Sequence, residues 1–329
     1  MKVAILNYEG VVPTSVTGPY DMLVSVSGIA QSLKVPVKTS FEVDIVNVSA
    51  TISSKEFNVV GNKHISDAKK YDLVIIPAMN FNCIDQIVQK QTEMINWIKE
   101  QYQHGSDIAA ICFGTFLLAS SGLLDGKRAT THWMGAPYFR RLFPKIKLEN
   151  DKVIIDEDRI YTCGAAYSFT SLMIYLIEKF CGREIALATA KVFMIQIHDT
   201  GQNAFSIFNI QHHHEDKIIS DVQIHIEKNY SSRLNVAELA IQFNMSQRTF
   251  IRRFTDVIGN TPLEYIQRVR IEAAKRLFEK GQLTVEEVCR KAGYEDFNSF
   301  RNLFKRLTGL TPQAYKKKYG QMFLEQVVG

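Results

Sequence analysis

A cysteine and a histidine twenty residues apart are the side chains of this chain best suited to covalent chemistry. The apolar run 108–111 leads directly into Cys112-Phe-Gly, where a helical pattern begins. A side chain in such a strand-to-helix turn is held above the sheet, and a helix N-terminus lowers the pKa of a thiol. His132 could serve this thiol as a base or as an ion-pair partner. Taken alone, Cys112 is better explained as a buried and inert thiol.

A second set of residues is suited to binding nucleic acid, and it occurs twice. Residues 236–265 and 285–315 repeat one pattern, with an offset of 50 residues in the later part and 49 in the earlier part. Two copies are too few for a stacked array, but they suit a target that itself repeats, such as duplex DNA. The pairs at the offset of 50 are Phe250 and Phe300, Phe254 and Phe304, Gly259 and Gly309, Thr261 and Thr311, Pro262 and Pro312, and Tyr265 and Tyr315.

Each copy predicts two helices joined by a turn. Asn235 and Ser246 are suitable N-caps in the first copy, and Thr284 begins a capping box in the second. Gly259 ends the second helix of the first copy. A helix over 262–279 joins the copies, and at 1.5 Å per residue it is about 25 Å long. It could place the two outward helices about one turn of DNA, ~34 Å, apart.

The second helix of each copy carries side chains that can read bases. In the major groove Arg bonds to guanine, and Asn or Gln bonds to adenine, while Lys and Arg near the helix ends meet phosphates. A protein-interaction domain with solvated basic helices is the alternative. The helical spacing exposes Gln247, Arg248 and Arg252 in the first copy, and Asn298, Arg301, Asn302 and Lys305 in the second.

Composition and charge indicate a two-domain protein with a basic C-terminal half. The 329 residues are 46% apolar, enough for two cores. Residues 216–329 contain 19 Lys and Arg against 13 Asp and Glu, a net charge of +6, whereas residues 1–215 have a net charge of −1. Such an imbalance favours an acidic partner. We find no signal peptide and no apolar stretch of ~20 residues, so we expect a cytoplasmic protein without membrane contact.

Metal binding and disulfides are not expected. The five cysteines are odd in number and widely spaced, without a CxxC pair. The run Gln-His-His-His-Glu at 211–215 contains potential metal ligands, but adjacent histidines point in different directions. We interpret it as a polar linker and predict no metal and no cofactor.

The N-terminal half predicts an α/β fold. Short β-rich runs alternate with longer helical patterns, which favours a parallel sheet covered on both faces. Ligands of such sheets bind at the carboxyl ends of the strands. The C-terminal half, by contrast, is predicted to be all-α with two helix-turn-helix units. The β-rich runs are 2–8, 41–48, 71–77 and 107–111, and the main helical patterns are 84–104 and 114–121.

The region from about 216 to 320 resembles the AraC/XylS family of transcription regulators. The resemblance rests on Gly-Tyr-Glu-Asp-Phe-Asn-Ser-Phe-Arg-Asn-Leu-Phe-Lys at 293–305 and Gly-Leu-Thr-Pro-Gln-Ala-Tyr at 309–315. In that family, exposed positions of the two recognition helices contact bases. Ile251 and Phe297 are apolar here, so they would meet thymine methyl groups or merely pack. The resemblance implies contacts by Gln247, Arg248, Ile251, Arg252, Phe297, Asn298, Ser299, Arg301 and Asn302.

Residues 1–197 are similar to the PfpI-type, class I glutamine amidotransferase-like superfamily, which has a flavodoxin-like sheet. In this resemblance Cys112 matches the elbow cysteine and His132 its paired histidine. Enzymes of the group place an acidic residue shortly before a Gly-Pro pair, where this chain has Ser15. The runs that carry the resemblance are 17–19, 109–119, 122–126, 129–133 and 161–165.

A PfpI-like domain followed by an AraC-type domain resembles the arrangement of GlxA-like regulators. It implies a domain over 1–197 that senses a small-molecule effector and dimerises, a linker over 198–215, and a DNA-binding domain over 216–329. We therefore predict an operator-binding regulator that is not an enzyme. The alternative is a hydrolase, deglycase or glyoxalase that uses Cys112 and His132, although Ser15 at the position of the acid favours sensing. The predicted effector pocket comprises Cys112, Phe113, His132 and Trp133.

Overall fold

The computed structural model describes residues 1–36, 39–48, 59–67, 70–84, 91–195, 214 and 216–320. It separates the chain into two units, Met1–Gln202 and Asn203–Gly329. The division falls inside the linker predicted over 198–215, most of which lies outside the described residues. The exact domain bounds remain a prediction.

Within the described residues, the first unit is built on a seven-stranded sheet with the order β3-β2-β1-β4-β5-β9-β8. Neighbouring strands are parallel except at one edge, where β8 pairs antiparallel with β9. Short strands β6 and β7 form a separate parallel pair. The bounds are β1 Lys2–Asn7, β2 Glu42–Asn47, β3 Lys63–His64, β4 Leu73–Ile76, β5 Asp107–Ile111, β6 Arg128–Ala129, β7 Lys147–Leu148, β8 Ile154–Glu157 and β9 Ile160–Cys163.

This sheet confirms the predicted flavodoxin-like α/β fold. From β1 the chain moves outward to β2 on one side, and from β4 it moves to β5 on the other. Because parallel crossovers are right-handed, these two directions place helices on opposite faces of the sheet. The central strands are buried on both faces, which explains the apolar run Leu73–Ile76.

The helices of the first unit mostly match the predicted patterns. The pattern at 114–121 forms a helix ending at Ser120, but the pattern at 84–104 is helical only from Thr92, after a 3₁₀ turn at Phe81–Cys83, with 85–90 outside the described residues. Helices α1, α5 and α6 pack together, and α2 packs on α3. The bounds are α1 Thr14–Leu33, α2 Thr92–Gln103, α3 Gly114–Ser120, α4 Ala136–Leu142, α5 Phe169–Cys181 and α6 Arg183–Val192.

Helices α7 to α13 make up the described part of the second unit, and the predicted helix caps and helix ends are confirmed. The side chains of Asn235 and Ser246 cap α8 and α9, and Thr284 forms a capping box on α11. Gly259 and Gly309 end α9 and α12 with φ near +77°, a conformation that favours glycine. The bounds are α7 Lys217–Asn229, α8 Val236–Gln242, α9 Gln247–Ile258, α10 Pro262–Glu279, α11 Val285–Lys291, α12 Phe297–Thr308 and α13 Pro312–Tyr319.

Two separate hydrophobic cores lie in this unit, and α10 contributes to both. Its first half supplies Tyr265 to one core, and its second half supplies Phe278 to the other. The repeat is therefore a four-helix plan in which α10 is the last helix of the first helix-turn-helix unit and the first helix of the second.

A tyrosine holds each helix-turn-helix unit together in the same way. Tyr265 donates a hydrogen bond to Glu227 of α7 at 2.8 Å, and Tyr315 donates one to Glu279 of α10 at 2.7 Å. Each ring also meets a phenylalanine of its recognition helix edge to face at 5.4 Å. Burial raises the pKa of both tyrosines, so both hydroxyls remain donors. The matched tyrosines of the sequence repeat are thus explained by packing.

Candidate functional site

The strand-to-helix elbow predicted at Cys112 is present. Cys112 follows β5 with φ +56°, a strained value for a side-chain-bearing residue. Gly114 opens α3 immediately afterwards. A Cβ atom at Gly114 would lie 2.8 Å from the carbonyl oxygen of Ile76 and closer still to that of Pro77, so only glycine fits there. The close approach of α3 to the end of β4 therefore requires glycine at the start of the helix.

The thiol in this elbow is not activated, contrary to the prediction. Cys112 is only 2% exposed, and burial raises the pKa of its thiol to about 12. A hydrogen bond from the backbone of Phe113 acts in the opposite direction but is the smaller effect. The expected stabilisation of a thiolate by the helix N-terminus is therefore outweighed by desolvation, and Cys112 is a neutral thiol near pH 7.

Two residues from distant segments lie beside Cys112. Cys163 at the end of β9 accepts the backbone hydrogen bond of Cys112 at 2.9 Å and is itself fully buried. Tyr8 is also fully buried, and its hydroxyl donates to the carbonyl oxygen of Pro77 at 2.5 Å. Burial raises the pKa of Tyr8, and a charged Cys112 would raise it further.

His132 is also uncharged in this environment. Burial lowers the pKa of its imidazole to about 4. Its Nδ1 accepts the backbone N–H of Met134 at 3.1 Å and so caps the short 3₁₀ helix Trp133–Gly135. The prediction that His132 forms an imidazolium–thiolate ion pair with Cys112 is therefore wrong near neutral pH. A neutral imidazole can still offer its other nitrogen to a ligand.

Ser15, predicted at the position of the missing acid, is used by the backbone. Its hydroxyl donates to the carbonyl oxygen of Val12 at 2.6 Å and accepts the N–H of Ala78 at 3.0 Å. The side chain is completely buried. These contacts join the start of α1 to the segment that follows β4, which is a structural role.

The predicted pocket residues form a row of rings beside the elbow. The ring of Phe113 lies 5.2 Å from His132, and His132 lies 5.1 Å from Trp133. Phe81 extends the row at 5.2 Å from Phe113 and is 38% exposed. Sequence reasoning missed Phe81, because it follows a different strand and carries no motif. The elbow is thus covered by an aromatic row, defined here as Phe81, Phe113, His132 and Trp133.

The recognition helices α9 and α12 place the predicted base-reading side chains at the surface. Ile251 is half-buried, as its apolar character suggested, while Phe297 is 38% exposed despite being apolar. The cores behind the helices hold the phenylalanines of the repeat. The other predicted contact residues, all exposed, are Gln247, Arg248, Arg252, Asn298, Ser299, Arg301, Asn302 and Lys305.

The two recognition helices differ at equivalent positions, 50 residues apart. The first helix presents Gln or Arg where the second presents Phe or Asn, and the second presents Arg where the first has Ile. The two helices are therefore expected to bind two different base sequences, and not two identical half-sites. The equivalent pairs are Gln247 and Phe297, Arg248 and Asn298, Ile251 and Arg301, and Arg252 and Asn302.

An ion pair that the sequence did not reveal fastens the first recognition helix. Arg253 on α9 contacts both carboxylate oxygens of Asp216, at 2.7 and 3.0 Å. Asp216 also caps α7 by accepting the N–H of Ile219. The pair holds the pKa of Asp216 below its usual range, with the Arg253 hydrogen bond as the main cause. At the matching position of α12 stands the buried Leu303.

Metal ligation and membrane insertion find no support in the described part of the chain. No three of its His, Cys, Asp and Glu side chains are grouped so that they could hold a metal ion. Most of the histidine run at 211–215 lies outside the described residues. None of the described helices has the length and apolar character needed to cross a bilayer.

Comparisons with known proteins agree with this division of the chain. Residues 1–179 match the model of the DJ-1/PfpI family, and residues 239–318 match that of a helix-turn-helix domain. In a crystal structure of a candidate transcriptional regulator from Vibrio parahaemolyticus, 98% of the chain aligns with 58% of this one, at 22% identity and a TM-score of 0.51. That likeness concerns the fold of the first unit.

Two curated relatives span both parts of the chain. The HTH-type transcriptional regulator GbdR of Pseudomonas aeruginosa is 24% identical over 238 residues, which are 72% of this chain and 64% of that protein. The HTH-type transcriptional regulator GlxA of Rhizobium meliloti is 26% identical over 221 residues, 66% of this chain and 67% of that protein. This chain therefore aligns with less than two thirds of the length of GbdR.

Proposed function

The chain belongs to the DJ-1/PfpI family through its first 179 residues, and from that premise we propose that it is a DNA-binding transcription regulator with a small-molecule sensor. The observation that carries the proposal is the surface of α9 and α12. Both helices expose Arg, Asn or Gln side chains along one face, as a helix in the major groove of DNA requires. The opposite face of each helix packs on a core that repeats the same arrangement of phenylalanines. A DNA-binding role also fits the cytoplasmic location expected from the sequence.

Selection of duplexes from a random pool by the full-length chain tests this proposal. We expect one enriched motif with two unlike halves, because the two recognition helices present different side chains. Binding should weaken steeply as salt is raised, since phosphate contacts release counterions. A chain that enriches no duplex at ~50 mM salt would favour the alternative, a protein-interaction domain with solvated basic helices.

Effector binding is assigned to the aromatic row beside the elbow. Its rings supply apolar contact area, and neutral His132 supplies a polar group that can fix the orientation of a ligand. Cys112 and Phe113 are buried, so the side chains directly available to a ligand are those of Phe81, His132 and Trp133. We propose that ligand binding alters DNA affinity, with a typical coupling of about 1–3 kcal/mol, and that the first unit dimerises.

A thermal-shift screen of metabolites against the full chain tests the assignment. A ligand that raises the unfolding temperature should lose this effect in Trp133→Ala and Phe81→Ala. Tyr167→Ala, which removes an exposed ring outside the aromatic row, is the matched control. Ligands that bind all three variants as well as the wild type would place the sensor elsewhere.

The strained elbow favours a second function, Cys-dependent hydrolysis or deglycation by Cys112 and His132. Three observations weigh against it: the thiol is buried, the imidazole is neutral, and the hydroxyl of Ser15 is bound to backbone. We therefore expect negligible turnover of peptides, dicarbonyls or glycated amines. Robust turnover that Cys112→Ser abolishes would establish the enzyme instead.

A further inference from the structure

Arg270, in the middle of α10, connects the two helix-turn-helix units. Its Nε donates to the carbonyl oxygen of Tyr230 at 2.8 Å, and its Nη2 donates to that of Ser232 at 2.8 Å. Both carbonyls belong to the end of α7 and the turn after it, in the first helix-turn-helix unit. The guanidinium thus satisfies backbone acceptors that a helix C-terminus leaves free.

The same guanidinium group also contacts the second helix-turn-helix unit. It lies 5.2 Å from the centre of the Tyr294 ring, next to the turn that precedes α12. At this turn Gly293 has φ +84°, and a Cβ atom there would lie 2.9 Å from the oxygen of Tyr230 and 3.1 Å from Nε of Arg270. The backbones of the two units therefore meet directly at Arg270.

This contact is not part of the repeated plan. At the offset of 50 residues that relates α10 to α13, Arg270 corresponds to Gly320, beyond the end of α13. The tyrosine bonds to Glu227 and Glu279 occur once in each unit, whereas the Arg270 contacts join one unit to the other. Besides capping the end of α7, these contacts therefore act on the relative placement of the two helix-turn-helix units.

We propose that Arg270 is a positioning residue that fixes the distance and angle between α9 and α12, and thereby the spacing of half-sites that the protein accepts. The inference rests on the proposed DNA binding. One extra base pair shifts a half-site along the duplex and rotates it by about a tenth of a helical turn. Two units joined only through α10 could bend to follow that change, because long helices curve. Two helix-turn-helix units that are also held together at Arg270, Gly293 and Tyr230 resist this bending.

The test uses the full-length chain and the duplex that the wild type selects from a random pool. Its affinity is compared with that for duplexes with one base pair inserted or removed between the halves. The wild type should lose about 10- to 100-fold in affinity on either altered spacing, the range that a poorly fitted site typically costs. Arg270→Gln should reduce this loss to less than about 5-fold, while base preference within each half stays unchanged.

Arg276→Gln is the matched control, because it removes an exposed positive charge from the same helix. It should lower affinity for all spacings alike and keep the wild-type discrimination. If Arg270→Gln does not fold, Arg270→Lys is used in its place. Lysine keeps a hydrogen-bond donor but cannot bond both carbonyl oxygens at once as the guanidinium does. This variant should discriminate between half-site spacings less than the wild type does. Wild-type discrimination in the folded Arg270 variant overturns this inference alone. A wild type that enriches no duplex overturns the proposed function and this inference together.

Discussion

The elbow around Cys112 and the recognition helices α9 and α12 were both found from residue types and spacing, yet their environments are opposite. At the elbow, Cys112 is buried and His132 is half-buried, and both are neutral because desolvation dominates the pKa of each. On the recognition helices, Arg252 and Arg301 are exposed and keep their charges available. Spacing therefore locates a site, while burial determines whether its side chains can react, bind a charged partner or only pack.

The largest difference should appear when a methyl group is added to the elbow. Gly114→Ala places a Cβ against the carbonyl oxygens of Ile76 and Pro77, which cannot move without shifting β4. We expect a loss of more than about 4 kcal/mol of unfolding free energy. The matched change on a recognition helix, Arg252→Ala, should alter it by less than about 0.5 kcal/mol. Urea unfolding measures both, and a mild effect of Gly114→Ala would show that the elbow is less tightly packed.

Thiol reactivity sharpens the contrast at the elbow itself. A pKa raised from 9.0 to about 12 lowers the thiolate fraction of Cys112 near pH 7 by about a thousandfold. A disulfide reagent should therefore react with Cys112 very slowly, and Cys112→Ser should leave the early rate of thiol labelling of the native chain unchanged. Phe81→Ala, which removes a ring packed beside the elbow, should speed the reaction. Fast labelling that Cys112→Ser removes would contradict the buried, neutral thiol.

Acid should destabilise the first unit through His132. Its pKa is lowered from 6.5 to about 4 in the folded chain, so the unfolded chain binds more protons between these values and stability falls as pH drops from 6.5 towards 4. The loss should reach about 2–3 kcal/mol. His132→Asn keeps a capping acceptor but cannot titrate, and should flatten the pH profile of the unfolding temperature.

On the DNA side, Arg252→Ala and Arg301→Ala should each cost about 1–3 kcal/mol on the selected duplex and relax base preference locally. The affected positions should lie in opposite halves of the motif, because the two residues occupy different helices. Lys305→Ala should instead weaken binding to all sequences alike. Equal and uniform losses for all three variants would mean that the arginines meet phosphates and not bases.

The smallest effect is expected for the Asp216–Arg253 pair. The pKa of Asp216 is depressed in the folded chain, so its contribution is full above the ordinary value of 3.8 and is lost as pH falls through the lower folded value. Because Arg253 is 40% exposed, solvent screens the pair, and Asp216→Asn should cost only about 0.5–1 kcal/mol near pH 7. The difference from the wild type should vanish in strong acid, as measured by urea unfolding; a constant difference would indicate capping alone.

The sequence predicted features that local chemistry controls. The caps at Asn235, Ser246 and Thr284 depend on neighbours within three residues, and all three formed. The joining helix predicted over 262–279 has those bounds in the structure, since Pro262 begins it. The strand-to-helix elbow was likewise visible in the run that ends at residue 114.

Features that depend on distant segments could not be predicted. Cys112 is buried in a core that also holds Tyr8 and Cys163, which lie about 100 and 50 residues away in sequence, so a motif alone suggested an active thiol. The contacts of Arg270 with Tyr230 and Ser232 span about 40 residues and carry no motif. The antiparallel edge strand β8 has only four residues, too few for a clear alternation of polar and apolar positions.

A helix that serves two cores has a consequence for how this DNA-reading unit melts and how it can be cut. Because α10 supplies Tyr265 to one core and Phe278 to the other, unfolding of either core frays the helix on which the other depends. We expect residues 216–320 to lose structure in a single transition, with no state in which one half is ordered and the other is not. A protease cut within α10 would remove part of the hydrophobic core from both fragments. We therefore expect neither fragment to stay folded as a smaller DNA-binding domain.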